Sequence, residues 1–189
     1  MPVFEQYRRT LDKAERLPAI EDLLIRPALL TDATELGRIE AVREGGDAAQ
    51  YASRLERAIV SLGTASEGLI LAAQHSGTLV AIAKVRHFVP SNDAPRNIAP
   101  AGWYLSGVIV VPEYRRRGIA RHLTEARLDW IAQRDQWAYY FSNVRNRVSI
   151  ELHQQFGFVE LTRDFTYPGA MFEGGIGVLF RAELSRFHR

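Results

Sequence analysis

The sequence predicts an α/β fold, a mixed sheet with helices on its faces. Three observations carry that expectation. Strand-like apolar runs alternate with segments of helical period along the chain. Ser76-Gly77 lies between two such runs as a hairpin signal. In the second half a strand, a turn with three arginines and a helix follow one another without a gap. The 189 residues, 47% hydrophobic and 24% charged, suit one globular domain over 21–189 preceded by a helical extension over 1–20.

Phe4, Tyr7, Leu11 and Ala14 recur at three- and four-residue steps and predict an amphipathic helix over residues 2–17. Its apolar face is expected to dock on the body of the protein or on a second subunit, which admits a homodimer. Leu23–Ile25 reads as a short strand ended by Arg26-Pro27. Thr31 or Asp32 is placed to cap a helix running to about Arg43, and Glu44-Gly45-Gly46-Asp47 breaks it. A second helix is expected from Ala48 to Leu62, then strands over 69–74 and 79–89. Pro90–Ala101 is rich in Pro, Asn, Asp and Ala and reads as a long loop of functional character. Trp103–Val111 is an apolar strand. Ile119, Leu123, Ala126 and Trp130 mark one face of the helix that Gly118 opens. Trp137–Phe141 is a strand, and Arg147–Phe156 a short helix stopped by Gly157, which suits a left-handed cap. Phe158–Thr166 and Gly177–Leu184 complete a sheet of about six or seven strands.

Composition removes several classes of function. No cysteine is present, which excludes disulfides, thiolate metal sites and a cysteine nucleophile. The net charge is +2 and the arginines are dispersed, so no nucleic-acid partner is expected. No histidine pair has metal-ligand spacing on a helix, and no metal is predicted. Apolar stretches such as Val108–Val111 are too short to cross a bilayer, and charges of both signs from Glu5 onward do not resemble a secretory leader. A cytoplasmic protein is the expectation.

The segment that carries chemistry runs from Val108 through Val111-Pro112-Glu113-Tyr114-Arg115-Arg116-Arg117-Gly118-Ile119-Ala120-Arg121. A strand feeds a turn that opens a helix, whose first amides lack internal partners and, with the helix dipole, attract an anion. Gly118 lets a phosphate approach the backbone, Ala120 keeps the next turn small, and the arginines add charge. Neither Gly-x-Gly-x-x-Gly nor the Gly-Lys-Ser/Thr ending of a P-loop occurs in this turn.

Arg115-x-x-Gly118-x-Ala120, after Val-x-Pro, resembles the Arg/Gln-x-x-Gly-x-Gly/Ala motif of the GNAT superfamily of N-acetyltransferases. Asn146-Arg147-Val148-Ser149-Ile150-Glu151-Leu152-His153-Gln154-Gln155-Phe156-Gly157-Phe158 resembles that family's second signature, and the likeness spans roughly residues 23–184. The resemblance implies a mostly antiparallel twisted sheet, the acyl-CoA N-acyltransferase fold, with acetyl-CoA as cosubstrate. It implies that the turn from Arg115 to Arg121 (Arg116, Arg117, Gly118, Ile119 and Ala120 between them) holds the coenzyme A pyrophosphate. The backbone of Val108, Ile109 and Val110 would then follow the pantetheine, with the Val110 amide polarising the thioester carbonyl. Asn146 would touch the pantetheine arm, and asparagine also suits a helix N-cap there.

The family often carries a tyrosine, before the Gly-Phe pair, that protonates the departing thiolate. This chain has His153, which can serve as general acid or pack on the inner face of its helix. No base stands out. Tyr104 and Ser106 could relay a proton through water, and Asp164 and Glu173 are further candidates. The acceptor is expected to be a primary amine of a small molecule, met by the loops 90–101 and 167–175. There Asp93 and Glu173 could attract a cation, and Trp103, Tyr167 and Phe172 could cover an apolar part. The alternatives are a non-catalytic acyl-CoA-binding module, a larger acyl group, and a protein amine as acceptor.

Overall fold

The computed structural model of the chain describes residues 18–65, 67–172 and 174–184. The helix expected over 2–17 and Glu173 lie outside these. The described elements are β1 (Leu23–Pro27), α1 (Ala33–Glu44), α2 (Ala48–Ala65), β2 (Gly68–His75), β3 (Thr78–Phe88), β4 (Gly102–Val110), α3 (Ile119–Ala132), β5 (Trp137–Asn143), α4 (Arg147–Gln154), β6 (Val159–Thr162) and β7 (Gly177–Glu183). The strands hydrogen-bond in the order β1-β2-β3-β4-β5-β7-β6. The β1/β2, β2/β3, β5/β7 and β6/β7 pairs are antiparallel and β4/β5 is parallel. The expected mixed, mostly antiparallel sheet of seven strands with four α-helices is therefore present. The chain forms two compact units. Of the described residues, one holds those up to Arg86 together with Ser106–Arg127, and the other holds His87–Leu105 and those from Leu128 onward.

In the first unit the sheet is covered on both faces. Ile70 and Ala72 of β2 and Ile82 of β3 pack with Leu36 and Ile39 of α1 and Leu55 of α2. Their alternates Leu71, Ala73, Ala81 and Ala83 pack with Ile119 and Leu123 of α3. A strand buried on both faces reads as an unbroken apolar run, which is how Leu69–Ala73 appears in the sequence. Burial of each large aliphatic side chain here contributes roughly 1.5–3 kcal/mol. Gly37 lets α1 and α2 touch backbone to backbone, since a Cβ there would fall 2.6 Å from the Ala52 amide nitrogen. The β2–β3 hairpin turns at Ser76 and Gly77, with φ of 48° and 82°, as two-residue hairpins require.

One expected cap is not made. Asp32 precedes α1 but gives it no side-chain cap bond. Its carboxylate turns back instead, accepting from Leu29 N at 2.7 Å and pairing with Arg26 in two bonds of 2.6 and 3.1 Å. The bonds from Arg26 hold the Asp32 carboxyl below its ordinary 3.8, against the opposing effect of burial, with the Leu29 amide adding to the same direction. β1 runs on to Pro27 rather than stopping before Arg26, because Arg26 and Pro27 continue the ladder opposite Ala72 and Leu71. A carboxyl whose folded pKa is depressed stabilises the fold above the ordinary value, and that stability is lost as pH falls through the folded value. Asp32→Asn is therefore expected to cost roughly 1–3 kcal/mol at neutral pH. Urea midpoints at pH 7 and in acid should show the gap from wild type closing once the pH drops below the ordinary value. A constant gap would contradict the assignment.

In the second unit β5 sorts its side chains by alternation. Tyr140 stacks on Phe180 of β7, its cross-strand partner, with ring centroids 4.9 Å apart, and on His153 of α4 at 3.9 Å. Tyr139 belongs to the opposite face, packed with Ala99, Tyr104 and Leu179. The expected strand over 158–166 shortens to β6, because Thr166 leaves the ladder for a parallel bridge to Ile98.

Candidate active site

The strand–turn–helix segment expected to cradle an anion lies within the first unit. After β4 a 3-10 turn over Pro112–Tyr114 bends the chain, with Tyr114 N donating to Val111 O at 2.9 Å and Arg115 N to Pro112 O at 3.2 Å. The backbone then enters the left-handed region twice, at Arg116 with φ 66° and at Gly118 with φ 83°. Left-handed residues in such a turn let successive N–H groups converge on one side, a nest for anions. The Gly118 carbonyl accepts from Arg121 N at 2.9 Å and His122 N at 3.1 Å, so the amides of Ile119 and Ala120 come before the first helical bond of α3.

The three arginines of the turn differ. Arg115 donates its Nε to Val110 O at 2.9 Å, bracing the turn against the end of β4. Arg117 has a buried Nε without a hydrogen-bond partner. An orphaned buried donor costs roughly 1–3 kcal/mol. Arg116 is exposed at the edge of the turn. Upstream, Gly107 takes φ 51° in the middle of β4, as glycine does where a strand bulges or meets a ligand closely. Arg43, in the last turn of α1, donates to Val108 O at 2.8 Å and fixes the residue just past Gly107.

In the second unit Asn146 caps α4, its side-chain oxygen accepting from Ser149 N at 3.3 Å. His153, on the same helix, is buried, and its Nδ1 lies 2.7 Å from Ser149 O. A carbonyl only accepts, so Nδ1 carries the proton and a neutral ring offers Nε2 as an acceptor.

The sequence model of the Acetyltransferase (GNAT) family matches residues 32–158. The chain belongs to the GNAT acetyltransferases. Over 68 residues it is 37% identical to an aminoglycoside N(6')-acetyltransferase type 1 from Acinetobacter genomosp. 13, a stretch that is 32% of this chain and 42% of that relative. The chain thus matches under half of that relative's length. Among solved structures it is similar to mutant forms of the spermidine/spermine N-acetyltransferase SpeG from Vibrio cholerae, with a TM-score of 0.63 and 15% identity over 87% of this chain and 95% of the other. It is also similar to yncA from Salmonella typhimurium, solved with its cofactor acetyl-CoA, with a TM-score of 0.62 and 18% identity over 87% of this chain and 95% of the other. At those identities the likeness is one of fold.

Within this GNAT chain the remaining site candidates separate. Tyr104 donates its hydroxyl proton to Pro100 O at 2.7 Å, and burial, helped by Tyr139 and Tyr167, raises its pKa above the usual tyrosine value. It is held as a phenol and is unsuited to act as a base. Ser106 keeps a buried Oγ without a hydrogen-bond partner. Asp164 is exposed and accepts from Asn97 Nδ2 at 2.8 Å. Trp103, expected in the acceptor loops, is buried between His87 at 4.5 Å and Trp130 at 5.0 Å, because strand alternation sends it away from the face that Tyr104 occupies. Gly107 and Arg43 were not among the expected site residues. A glycine inside an apolar strand was the signal for the first, and nothing in the sequence marks the second. Among the described residues no helix is long and apolar enough to cross a membrane, and no group of three or more His, Asp or Glu is placed to hold a metal ion.

Proposed function

We propose that this chain transfers an acetyl group from acetyl-CoA to a primary amine of a small molecule by direct attack. The observation that carries the reading is the cradle: two left-handed residues, the open amides at the start of α3, and the buried, unpartnered Nε of Arg117. Such a site suits a pyrophosphate, and membership in the GNAT family supports acetyl-CoA as the donor that would bring it. The backbone of Val108–Val110, set by the positive φ of Gly107 and the Arg43 bond, would follow the pantetheine, where amide donors offset charge developing on the thioester oxygen. The amine nitrogen forms its bond to the acetyl carbon as the carbon–sulfur bond breaks. The amine gives up a proton and coenzyme A leaves as the thiol. Relatives acting on aminoglycosides and on spermidine fit a small amine as acceptor.

His153 has a positioning role in this scheme. To protonate a thiolate from Nε2 it would first have to become an imidazolium, stacked on Tyr140 and edge-on to Phe158 at 5.4 Å, where a charge is poorly solvated. Its bond to Ser149 O and its stacking hold α4 against β5 instead. His153→Phe is expected to change kcat less than about threefold and to leave the shape of the pH profile intact. A loss of roughly a hundredfold or more, the usual range for removing a general acid, would restore the catalytic role.

Calorimetric titration with acetyl-CoA, followed by thiol-release assays across an amine panel, tests the function itself. Binding with release on one amine class supports it. Binding with no release on any amine favours the non-catalytic module, and absence of binding removes the reading.

A further inference from the structure

Within the first unit, two arginines hold alternate carbonyls of one stretch of β4. Val111 N, just past the strand, donates to Val80 O of β3 at 2.9 Å, so the C=O and N–H groups of Val108 and Val110 point to the opposite edge. Both of those carbonyls are taken by guanidinium groups. Arg43 of α1 donates Nη1 to Val108 O at 2.8 Å, and Arg115 of the turn donates Nε to Val110 O at 2.9 Å. Each bond fixes the plane of one peptide, Val108–Ile109 in the first case and Val110–Val111 in the second. The Val110 N–H belongs to the peptide between them, Ile109–Val110, so both of its neighbours are pinned. Side chains hold the same stretch from the two faces. Ile109 packs with Leu36 and Ile39 of α1, and Val110 with Ile119 and Leu123 of α3.

Arg43 reaches this edge from a helix that is itself fastened to the sheet. One turn earlier on α1, the buried Glu40 pairs with Lys84 of β3, and Leu36, Glu40 and Arg43 follow one another along a single stripe of the helix. Glu44 gives the guanidinium a second restraint, its Oε1 lying 3.3 Å from Arg43 Nε. The Arg43 side chain is 37% exposed, so the core does not demand it there. Ordering so long a side chain costs entropy, and the return is one directed bond to a backbone carbonyl. That bond falls where the backbone is easiest to turn. Gly107, at φ 51°, comes immediately before Val108, and a glycine leaves the next peptide free to rotate unless something holds it. An edge whose carbonyls are already paired presents its N–H groups to a ligand, and donors fixed in advance are what a developing oxyanion needs.

We infer that Arg43 is a positioning residue for acyl transfer: its bond to Val108 O keeps the Val110 N–H aimed at the oxygen of a bound thioester. The inference rests on the acetyl-transfer reading, while Arg43 itself lies outside the arginine–glycine turn. Isotope-edited infrared spectra of acetyl-CoA labelled at the thioester carbonyl test it, beside calorimetry and a melting curve for each variant. With the wild type, the carbonyl band of bound acetyl-CoA is expected below that of the free compound, as a hydrogen-bonded carbonyl requires. Arg43→Met keeps the stem and removes the donors. It should return the band most of the way to the free position while changing the acetyl-CoA Kd less than about threefold. Arg43→Lys, which keeps a charged donor without the planar fork, should recover part of the shift. Thiol release on the best amine of the panel should fall at least about tenfold in kcat for Arg43→Met. A band unshifted in the wild type, or equally shifted in the wild type and Arg43→Met, would overturn the inference with the acetyl-transfer reading intact. A lower melting temperature with the band unmoved would do the same and leave Arg43 as a brace between α1 and β4. A wild type that ignores acetyl-CoA would remove both.

Discussion

Gly118→Val is expected to weaken acetyl-CoA binding by about a hundredfold while leaving the protein folded. The position takes φ 83°, which a β-branched residue adopts only as an outlier, at a cost of roughly 1–3 kcal/mol. Crowding inside the protein is not the cause, since a Cβ there meets only the His122 ring, at 3.8 Å. The turn would relax toward negative φ, swinging the Ile119 and Ala120 amides out of line, and the valine methyls would occupy the ligand's side of the nest. Two charge-assisted hydrogen bonds lost at roughly 1.5 kcal/mol each give the hundredfold figure. Gly118→Ala keeps the strain and loses most of the obstruction, so a smaller effect is expected. Calorimetry with acetyl-CoA, beside a melting curve for each variant, separates affinity from stability. Unchanged affinity in the valine variant would place the pyrophosphate elsewhere.

The parts of the fold that local chemistry decides were legible in the sequence. Ser76-Gly77 turns the hairpin, Gly45 and Gly157 end their helices with positive φ, and the strand–turn–helix run makes the cradle. What escaped was decided by partners remote in sequence. Asp32 has the residue type and place of an α1 cap, yet Arg26 competes successfully for its carboxylate from six residues away. Thr166 continues an apparent strand, yet pairs with Ile98. The site divides along the same line. Arg115 to Arg121 are expected at the site from their likeness to a family motif, but that Arg115 braces Val110 while Arg117 has a buried, unpartnered Nε depends on how the turn closes. For His153 the motif position and residue type admit acid catalysis, whereas its stack against Tyr140 is visible only in the fold.

Arg127→Ala should be among the most destabilising single changes in the chain, at roughly 3–5 kcal/mol. Helical periodicity in the sequence points to Ile119, Leu123, Ala126 and Trp130, but the buried stripe of α3 includes Leu123, Arg127 and Ile131, with Arg127 only 1% exposed. A guanidinium is not read as a core group from sequence, which is why it was missed. Burial pushes it down to about 9, still charged at neutral pH. It donates Nε to Leu123 O at 3.2 Å, Nη1 to Lys84 O at 3.3 Å and Nη2 to Thr124 Oγ1 at 3.0 Å, thereby tying α3 to β3. Truncation to alanine leaves a cavity and removes the bond to Lys84 O that joins α3 to β3. Arg127→Met fills most of the volume and removes the buried charge, and such replacements are often neutral or stabilising. Denaturant midpoints at constant slope should therefore rank wild type and Arg127→Met close together and Arg127→Ala far below. If alanine costs less than about 1 kcal/mol, the three bonds contribute little and α3 is held by Ile119 and Leu123 alone. If methionine falls as far as alanine, the charge and its directed bonds, more than the packing, fasten the helix behind the cradle.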